Sequence, residues 1–166
     1  MTQTRTRRCY EAGHRPKFLV VVDETDECSR AVYFAARRAK RTGARVTTLA
    51  VINPSEFDNW FNIGAVMREE AEGAAQGVLA RSAGLVRETA GIEAEQIIRE
   101  GPRAETVQAL IDEDEDIALL VLAAGTGGEG PGPLVAMLAG KLAGHFPIPV
   151  VVVPGHLADD EIDALA

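Results

Sequence analysis

The segment of the sequence best suited to chemistry is residues 125–133, the glycine loop, which holds five glycines and two prolines. Glycine has no Cβ, so the backbone N–H groups of such a loop can converge on an anion. The loop follows a strand-like run and precedes a helix-like run, and a helix N-terminus attracts negative charge. We therefore expect the loop to contact a phosphate. A turn selected only for its geometry is the alternative.

Two common phosphate motifs match the glycine loop only in part. Gly125, Gly127 and Gly130 satisfy G-x-G-x-x-G, but the dinucleotide fingerprint also requires an acidic residue about 20 positions later. The next strand ends in Val-Val-Pro-Gly without one. The pair at 140–141, Gly-Lys, would need Gly at position 135 and Ser or Thr at 142 to form a P-loop, and the sequence has Val and Leu there. Neither a dinucleotide site nor a P-loop is predicted.

No catalytic or metal-binding constellation is visible elsewhere in the sequence. Ser29 lacks the context of a nucleophile elbow, and Asp23 is better suited to a cap or a ribose contact than to a general base. The cysteines, Cys9 and Cys28, form neither a C-x-x-C pair nor part of a histidine cluster, which indicates a reducing compartment. We expect no catalytic residue, no metal ligand and no enzyme, although ATP hydrolysis or a dinucleotide-linked reaction stays as a further hypothesis.

Charge and composition limit the classes of partner. The chain has 166 residues and a net charge of −8, of which residues 1–45 hold 11 Lys and Arg against 5 Asp and Glu. The acidic remainder would repel nucleic-acid phosphates, and no apolar run approaches the ~20 residues that span a bilayer. We expect a cytoplasmic protein without nucleic-acid or membrane partners. Residues 1–16 are predicted to be a flexible basic arm, which is either solvated or in contact with an anion.

Strands and helices alternate along the rest of the chain, which predicts a single doubly wound α/β domain. The predicted domain spans residues 17–154, followed by an acidic tail at 155–166. Its strands are predicted at residues 17–22, 45–52, 95–99, 117–123 and 149–153, and its helices at 29–42, 65–89, 104–113 and 134–145. Ligands of such sheets bind beyond the carboxyl ends of the strands. Asp23, the end of the second strand and the glycine loop should meet at that edge.

The order of several short motifs resembles the universal stress protein family. Gly127, Gly130 and Gly140 follow the spacing G-x2-G-x9-G. Further matching pieces are Val-Val-Asp at 21–23, Leu-Ala-Val-Ile at 49–52, Gly-Pro at 101–102 and Pro-Ile-Pro-Val-Val-Val-Val at 147–153. The resemblance covers about residues 17–154. It implies a five-stranded parallel sheet in the order 3-2-1-4-5 with helices on both faces.

The resemblance also implies a ligand and the residues that hold it. The ligand would be ATP or AMP, with Mg²⁺ as an optional companion. Asp23 would lie near the adenosine, and the backbone of Val51 would contact adenine. The remaining contacts would surround the phosphates, and they would come from Gly125, Gly127, Gly130, Gly140 and Lys141.

Three positions depart from the family pattern at this site. Lys141 stands where the family has Ser or Thr, and it would be either a point charge on the phosphate or a solvated lysine. Glu129 would repel phosphate. Val21 stands where nucleotide-binding relatives often have Pro. These departures keep open a second hypothesis, a nucleotide-free adaptor dimer that acts through protein contacts.

The fifth strand predicts self-association. Its apolar edge carries no charged residue to block pairing with another strand, and its members are Val150, Val151, Val152 and Val153. The resemblance implies a homodimer through this strand, with a protein partner that stays unidentified. Trp60 and Phe61 would cover the ligand or seat the helix that follows. The function expected from the sequence is a stress-response protein that regulates or senses through an adenine nucleotide.

Overall fold

The computed structural model describes residues 6–57 and 64–166, and Trp60 and Phe61 lie outside this part of the chain. The strands are β1 (Lys17–Val22), β2 (Arg45–Ile52), β3 (Glu95–Glu100), β4 (Ile117–Ala124) and β5 (Val150–Pro154). The helices are α1 (Cys28–Thr42), α2 (Ala65–Ala90), α3 (Arg103–Glu113), α4 (Pro133–Val135) and α5 (Asp159–Leu165). Within the described residues, no helix is both long enough and apolar enough to cross a membrane.

The strands form one parallel sheet in the order β3-β2-β1-β4-β5, which confirms the predicted fold class and strand order. The order reverses between β1 and β4, because the chain first builds outward through β2 and β3 and then returns to the other side of β1. Beyond the carboxyl ends of these two strands the connections diverge, which leaves room for a ligand.

The central strand explains why the fold has two helical layers. Alternate residues of a strand point to opposite faces. On β1, Val20 and Val22 face the core beneath α1 and α2, whereas Leu19 and Val21 face the core beneath α3 and α4. All four are buried, as the continuous apolar run at 17–22 predicts.

Helix α1 packs on the sheet through small side chains. Its buried stripe consists of Ala31, Val32, Ala35, Ala36 and Ala39, so the helix lies close to the strands. It ends at Gly43, whose φ of 77° is the left-handed conformation that glycine adopts at helix ends. This compact layer fixes the position of the turn between β1 and α1, where Asp23 lies.

Two segments differ from the sequence-based expectation. Helix α4 does not continue regularly to residue 145, because it changes at Ala136–Lys141 into a π-helical segment, in which the Leu142 amide donates to the Met137 carbonyl. The acidic residues near the end of the chain form α5, which packs on α1. Ile162 is fully buried there, and the Tyr33 hydroxyl donates to Asp163 Oδ1 at 2.8 Å.

The segment before β1 packs against the edge of the sheet where the strands begin. The Arg7 guanidinium donates to the carbonyls of Ile111, at 2.8 Å, and Asp114, at 3.0 Å, at the end of α3. The Cys9 side chain is buried, and His14 Nδ1 lies 2.6 Å from Asp116 Oδ1. This segment therefore covers the amino-terminal edge of the sheet.

Candidate functional site

A cleft of about 610 Å³ opens at the carboxyl-terminal edge of the sheet, and we refer to it as the cleft. It lies beyond the ends of β1, β2 and β4, at the reversal of strand order. Its volume falls within the range of ligand-binding pockets, about 300–1,000 Å³. The fold thus provides a hollow where parallel α/β sheets bind their ligands.

One wall of the cleft is apolar because of the residues that α2 presents to it. Ala71, Ala74, Ala75 and Val78 recur at helical spacing along the cleft, and Phe57 lies beside them. Alanine side chains on this face leave space between the helix and the strand ends. A flat apolar group, such as a nucleobase, fits against this wall.

Asp23 stands at the end of β1 and lines the cleft. Its Oδ1 accepts hydrogen bonds from the Thr25 amide at 3.0 Å and from the Thr25 hydroxyl at 2.5 Å, which holds the carboxylate in a local turn. Such a carboxylate is suited to accept hydrogen bonds from the hydroxyls of a ribose.

Cys28, at the first turn of α1, also lines the cleft and is 8% exposed. Its Sγ accepts a hydrogen bond from the Asp23 amide at 3.4 Å. Burial raises the pKa of the Cys28 thiol to about 11, an effect that the hydrogen bond from Asp23 only partly opposes. The thiol is therefore protonated and a poor nucleophile at neutral pH.

Acidic side chains dominate the polar part of the cleft. Asp23, Glu24, Glu27 and Glu56 line it, against Arg103 as the one cation among the described lining residues. Arg103 is already paired, since its Nη2 lies 2.5 Å from Glu56 Oε1. The electrostatic potential in the cleft is consequently negative.

The glycine loop borders the cleft through its last residues, Pro131 and Pro133 with the glycine between them. Two of its amides are used inside the loop. The Gly125 amide donates to the Pro131 carbonyl at 3.1 Å, and the Gly130 amide donates to the Gly127 carbonyl at 3.2 Å. The loop is thus closed on itself on the side where a phosphate was expected.

The predicted site residues divide into two groups. Asp23 and Val51 line the cleft together. The other five are not among its lining residues. Gly125, at the start of the loop, is half-buried, and the remaining four are exposed, namely Gly127, Gly130, Gly140 and Lys141. Their roles in phosphate binding stay predictions.

Glu27 is a residue that the sequence did not single out. A Cβ placed on Gly125 would lie 3.1 Å from Glu27 Oε1, and one placed on Gly155 would lie 2.9 Å from Glu27 Cβ. A side chain at Gly155 would therefore collide with its surroundings, whereas one at Gly125 would require the Glu27 carboxylate to shift by a few tenths of an ångström. No side chain of the acidic turn at 23–27 caps α1.

The outer edge of β5 has no paired strand in the described part of the chain, because β5 stands at the end of the strand order. Val150, Val151 and Val152 are partly buried, and Val153 is buried. Elsewhere among the described residues, no group of three or more His, Cys, Asp or Glu side chains is arranged to hold a metal ion.

The sequence model of the Universal stress protein family matches residues 14–154. The chain belongs to the universal stress protein family. The matched region contains all five strands, the cleft and the glycine loop. No curated protein matches the chain.

Solved structures of the universal stress protein family share this fold. The protein UspA from Lactobacillus plantarum superposes with a TM-score of 0.67 at 22% identity, over 83% of this chain and 97% of that one. The universal stress protein from Archaeoglobus fulgidus in complex with dAMP gives 0.59 at 18% identity, over 83% and 96%. A family member from Arabidopsis thaliana with AMP bound gives 0.56 at 13% identity, over 84% and 90%.

Proposed function

We propose that this universal stress protein is a cytoplasmic regulator or sensor that binds an adenine nucleotide, ATP or AMP, in the cleft. The observation that carries the proposal is the cleft itself. The apolar side chains of α2 and the carboxylate of Asp23 line the same hollow at the reversal of strand order. These features match the two ends of a nucleoside, an apolar base and a hydroxylated sugar.

The relatives support the adenine assignment. Structures of the same fold from Archaeoglobus fulgidus and Arabidopsis thaliana contain dAMP and AMP. In this chain adenine would lie near the backbone of Val51, and the ribose near Asp23. Mg²⁺ would accompany the phosphates of ATP, since Mg²⁺ commonly binds nucleotide phosphates. The proposed role is binding rather than catalysis.

The test begins with mass spectrometry of small molecules released from freshly purified protein, followed by calorimetric titration with adenosine, AMP, ADP and ATP. Asp23→Asn should weaken adenosine binding roughly tenfold, because hydrogen bonds to charged groups contribute about 1.5–3 kcal/mol. Asp26→Asn is the matched control, since Asp26 is exposed and does not line the cleft. Absence of both retained nucleotide and heat of binding would refute the proposal.

A nucleotide-free adaptor is the second candidate, and a specific observation favours it. The amides of Gly125 and Gly130 are occupied by carbonyls of the loop itself, so they would have to be released before they could hold a phosphate. Purified protein that carries no nucleotide but captures a protein partner would favour this candidate over the first.

In either case we propose a homodimer through the free edge of β5. The Gly155 amide donates inward to the Ala124 carbonyl, so by alternation the Val152 amide points away from β4. Val152→Pro removes this outward donor and should yield monomer in sedimentation velocity, whereas Val152→Thr keeps the amide and should stay dimeric. A dimer that survives Val152→Pro would show that another surface joins the subunits.

A further inference from the structure

Glu27 occupies a position between the cleft and the glycine loop, and this position has a consequence for the ligand. The side chain lines the cleft and is only partly exposed. Its Oε1 lies 3.1 Å from the point where a Cβ on Gly125 would stand. The carboxylate therefore lies against the backbone at the start of the loop that was expected to hold phosphate.

No described residue neutralises this carboxylate through a hydrogen bond or an ion pair with its side chain. Arg103, the one cation among the lining residues that the structure describes, is paired with Glu56 at 2.5 Å. Asp23 and Glu24 add negative charge next to Glu27. A phosphate chain that reached Gly125 from the cleft would meet several carboxylates and no unpaired cation among the lining residues.

Four positions of the loop give a phosphate no free backbone donor in this conformation. The amides of Gly125 and Gly130 donate to carbonyls of the loop. The prolines at 131 and 133 have no amide hydrogen, although both line the cleft. These four positions do not offset the repulsion, whereas the side chains of α2 give a base an apolar wall.

We infer that Glu27 is a specificity-determining residue that restricts the cleft to adenosine and its monophosphate and disfavours ATP. The inference rests on the proposed function, because it concerns the phosphates of a ligand held in the same cleft. Repulsion between like charges grows with the number of phosphates. Adenosine is unaffected by Glu27, AMP is affected weakly, and ATP is affected most.

The experiment is calorimetric titration of the full chain with adenosine, AMP and ATP, each in EDTA and in Mg²⁺. Wild-type protein should bind adenosine and AMP at least roughly tenfold more tightly than ATP in EDTA. Glu27→Gln should tighten ATP binding roughly tenfold, AMP binding less than about threefold, and adenosine binding not at all. Glu88→Gln, an exposed position on α2 outside the cleft, makes the same change in net charge and should leave all three affinities unchanged.

The outcomes separate this inference from the proposed function. Wild-type protein that binds ATP as tightly as AMP, with no change in Glu27→Gln, would overturn the inference and leave nucleotide binding in place. Weaker ATP binding by Glu27→Gln in Mg²⁺ would also overturn it, because the carboxylate would then act as a metal ligand. If neither protein binds any of the three compounds, the proposed function fails and the inference fails with it. If Glu27→Gln binds ATP and wild-type protein does not, the result supports both the proposed function and the inference.

Discussion

Charged side chains are arranged differently at the two edges of the sheet. At the amino-terminal edge Lys17 Nζ lies 2.7 Å from Asp114 Oδ2 and 3.1 Å from Glu95 Oε2, and His14 lies against Asp116. At the carboxyl-terminal edge, within residues 6–57 and 64–166, the carboxylates that line the cleft outnumber its one lining cation, Arg103. The same acidic chain thus uses carboxylates as structural partners at one edge and leaves them facing an open hollow at the other.

This difference indicates where stability and where binding are located. Removing one partner of a half-buried ion pair lowers the free energy of unfolding, because the other partner stays desolvated. Neutralising a charge in an open cleft changes the stability of the protein little, but it changes the affinity for any charged ligand that enters. Four predictions test the contrast, beginning with the largest expected effect.

Gly155→Ala should be the most destabilising change near the cleft. The added Cβ would lie 2.4 Å from the Ala124 carbonyl oxygen and 2.9 Å from Glu27 Cβ, so backbone must move. We expect a loss of about 3 kcal/mol in urea denaturation, in the range of overpacking substitutions. Gly127→Ala is the control, because a Cβ there meets no atom within 4 Å and should change stability by less than about 0.5 kcal/mol. Equal stabilities of Gly155→Ala and Gly127→Ala would show that the backbone at the end of β5 shifts at little cost in free energy.

Cys28 should react slowly although it lines an open cleft. Its pKa of about 11 leaves roughly a hundredfold less thiolate at pH 8 than an ordinary thiol has. In a Cys9→Ala background, where Cys28 is the sole thiol, iodoacetamide should alkylate the folded protein at least about a hundredfold more slowly than the protein in urea. Equal rates would mean that solvent reaches the thiol freely.

The raised pKa of Cys28 also gives a pH dependence of stability. The folded protein retains the thiol proton at pH values where the unfolded chain loses it, so the free energy of unfolding should fall as pH rises from about 8.5 towards 11. Cys28→Ala should remove this part of the alkaline decrease in urea titrations. If the free energy of unfolding of Cys28→Ala falls with pH as steeply as that of the wild type, other groups cause the decrease.

Lys17→Met and Glu27→Gln form a matched pair, one charge removed at each edge. Burial alone would lower the pKa of Lys17, but its hydrogen bonds with Asp114 and Glu95 raise it, so its stabilising charge is fully present at pH 7. Lys17→Met should cost about 1–2 kcal/mol in urea denaturation, because Asp114 stays half-buried without its partner. Glu27→Gln should change stability by less than about 0.5 kcal/mol. Equal losses of stability in Lys17→Met and Glu27→Gln would contradict the distinction between the two edges.

Much of the fold could be predicted because its signals are local. The run at 17–22 predicted a strand buried on both faces, and the alanine stripe of α1 predicted the packed face of that helix; both are confirmed. Helix α5 could not be predicted. Its seven residues are too few for a clear period, and its acidic side chains are explained only by partners such as Arg30, 2.7 Å from Asp159.

The candidate site was predictable only in part. Asp23 follows from the rule that strand ends meet at one edge, Val51 was implied by the family resemblance, and both line the cleft. The sequence predicted one helix at 134–145, whereas the segment Ala136–Lys141 is π-helical and its turns are wider. Glu27 lay outside the prediction because its neighbours, the start of the glycine loop and Gly155, are distant in sequence.

The close approach at Gly155 joins the free edge of β5 to the interior of the cleft. At the end of this strand the Gly155 amide donates to the Ala124 carbonyl at 2.9 Å, and a Cβ on Gly155 would lie 2.9 Å from Glu27 Cβ. In the proposed dimer, contact at the outer strand would therefore act close to Glu27, the residue that we infer to select between the nucleotides. Subunit association and nucleotide affinity would then depend on each other.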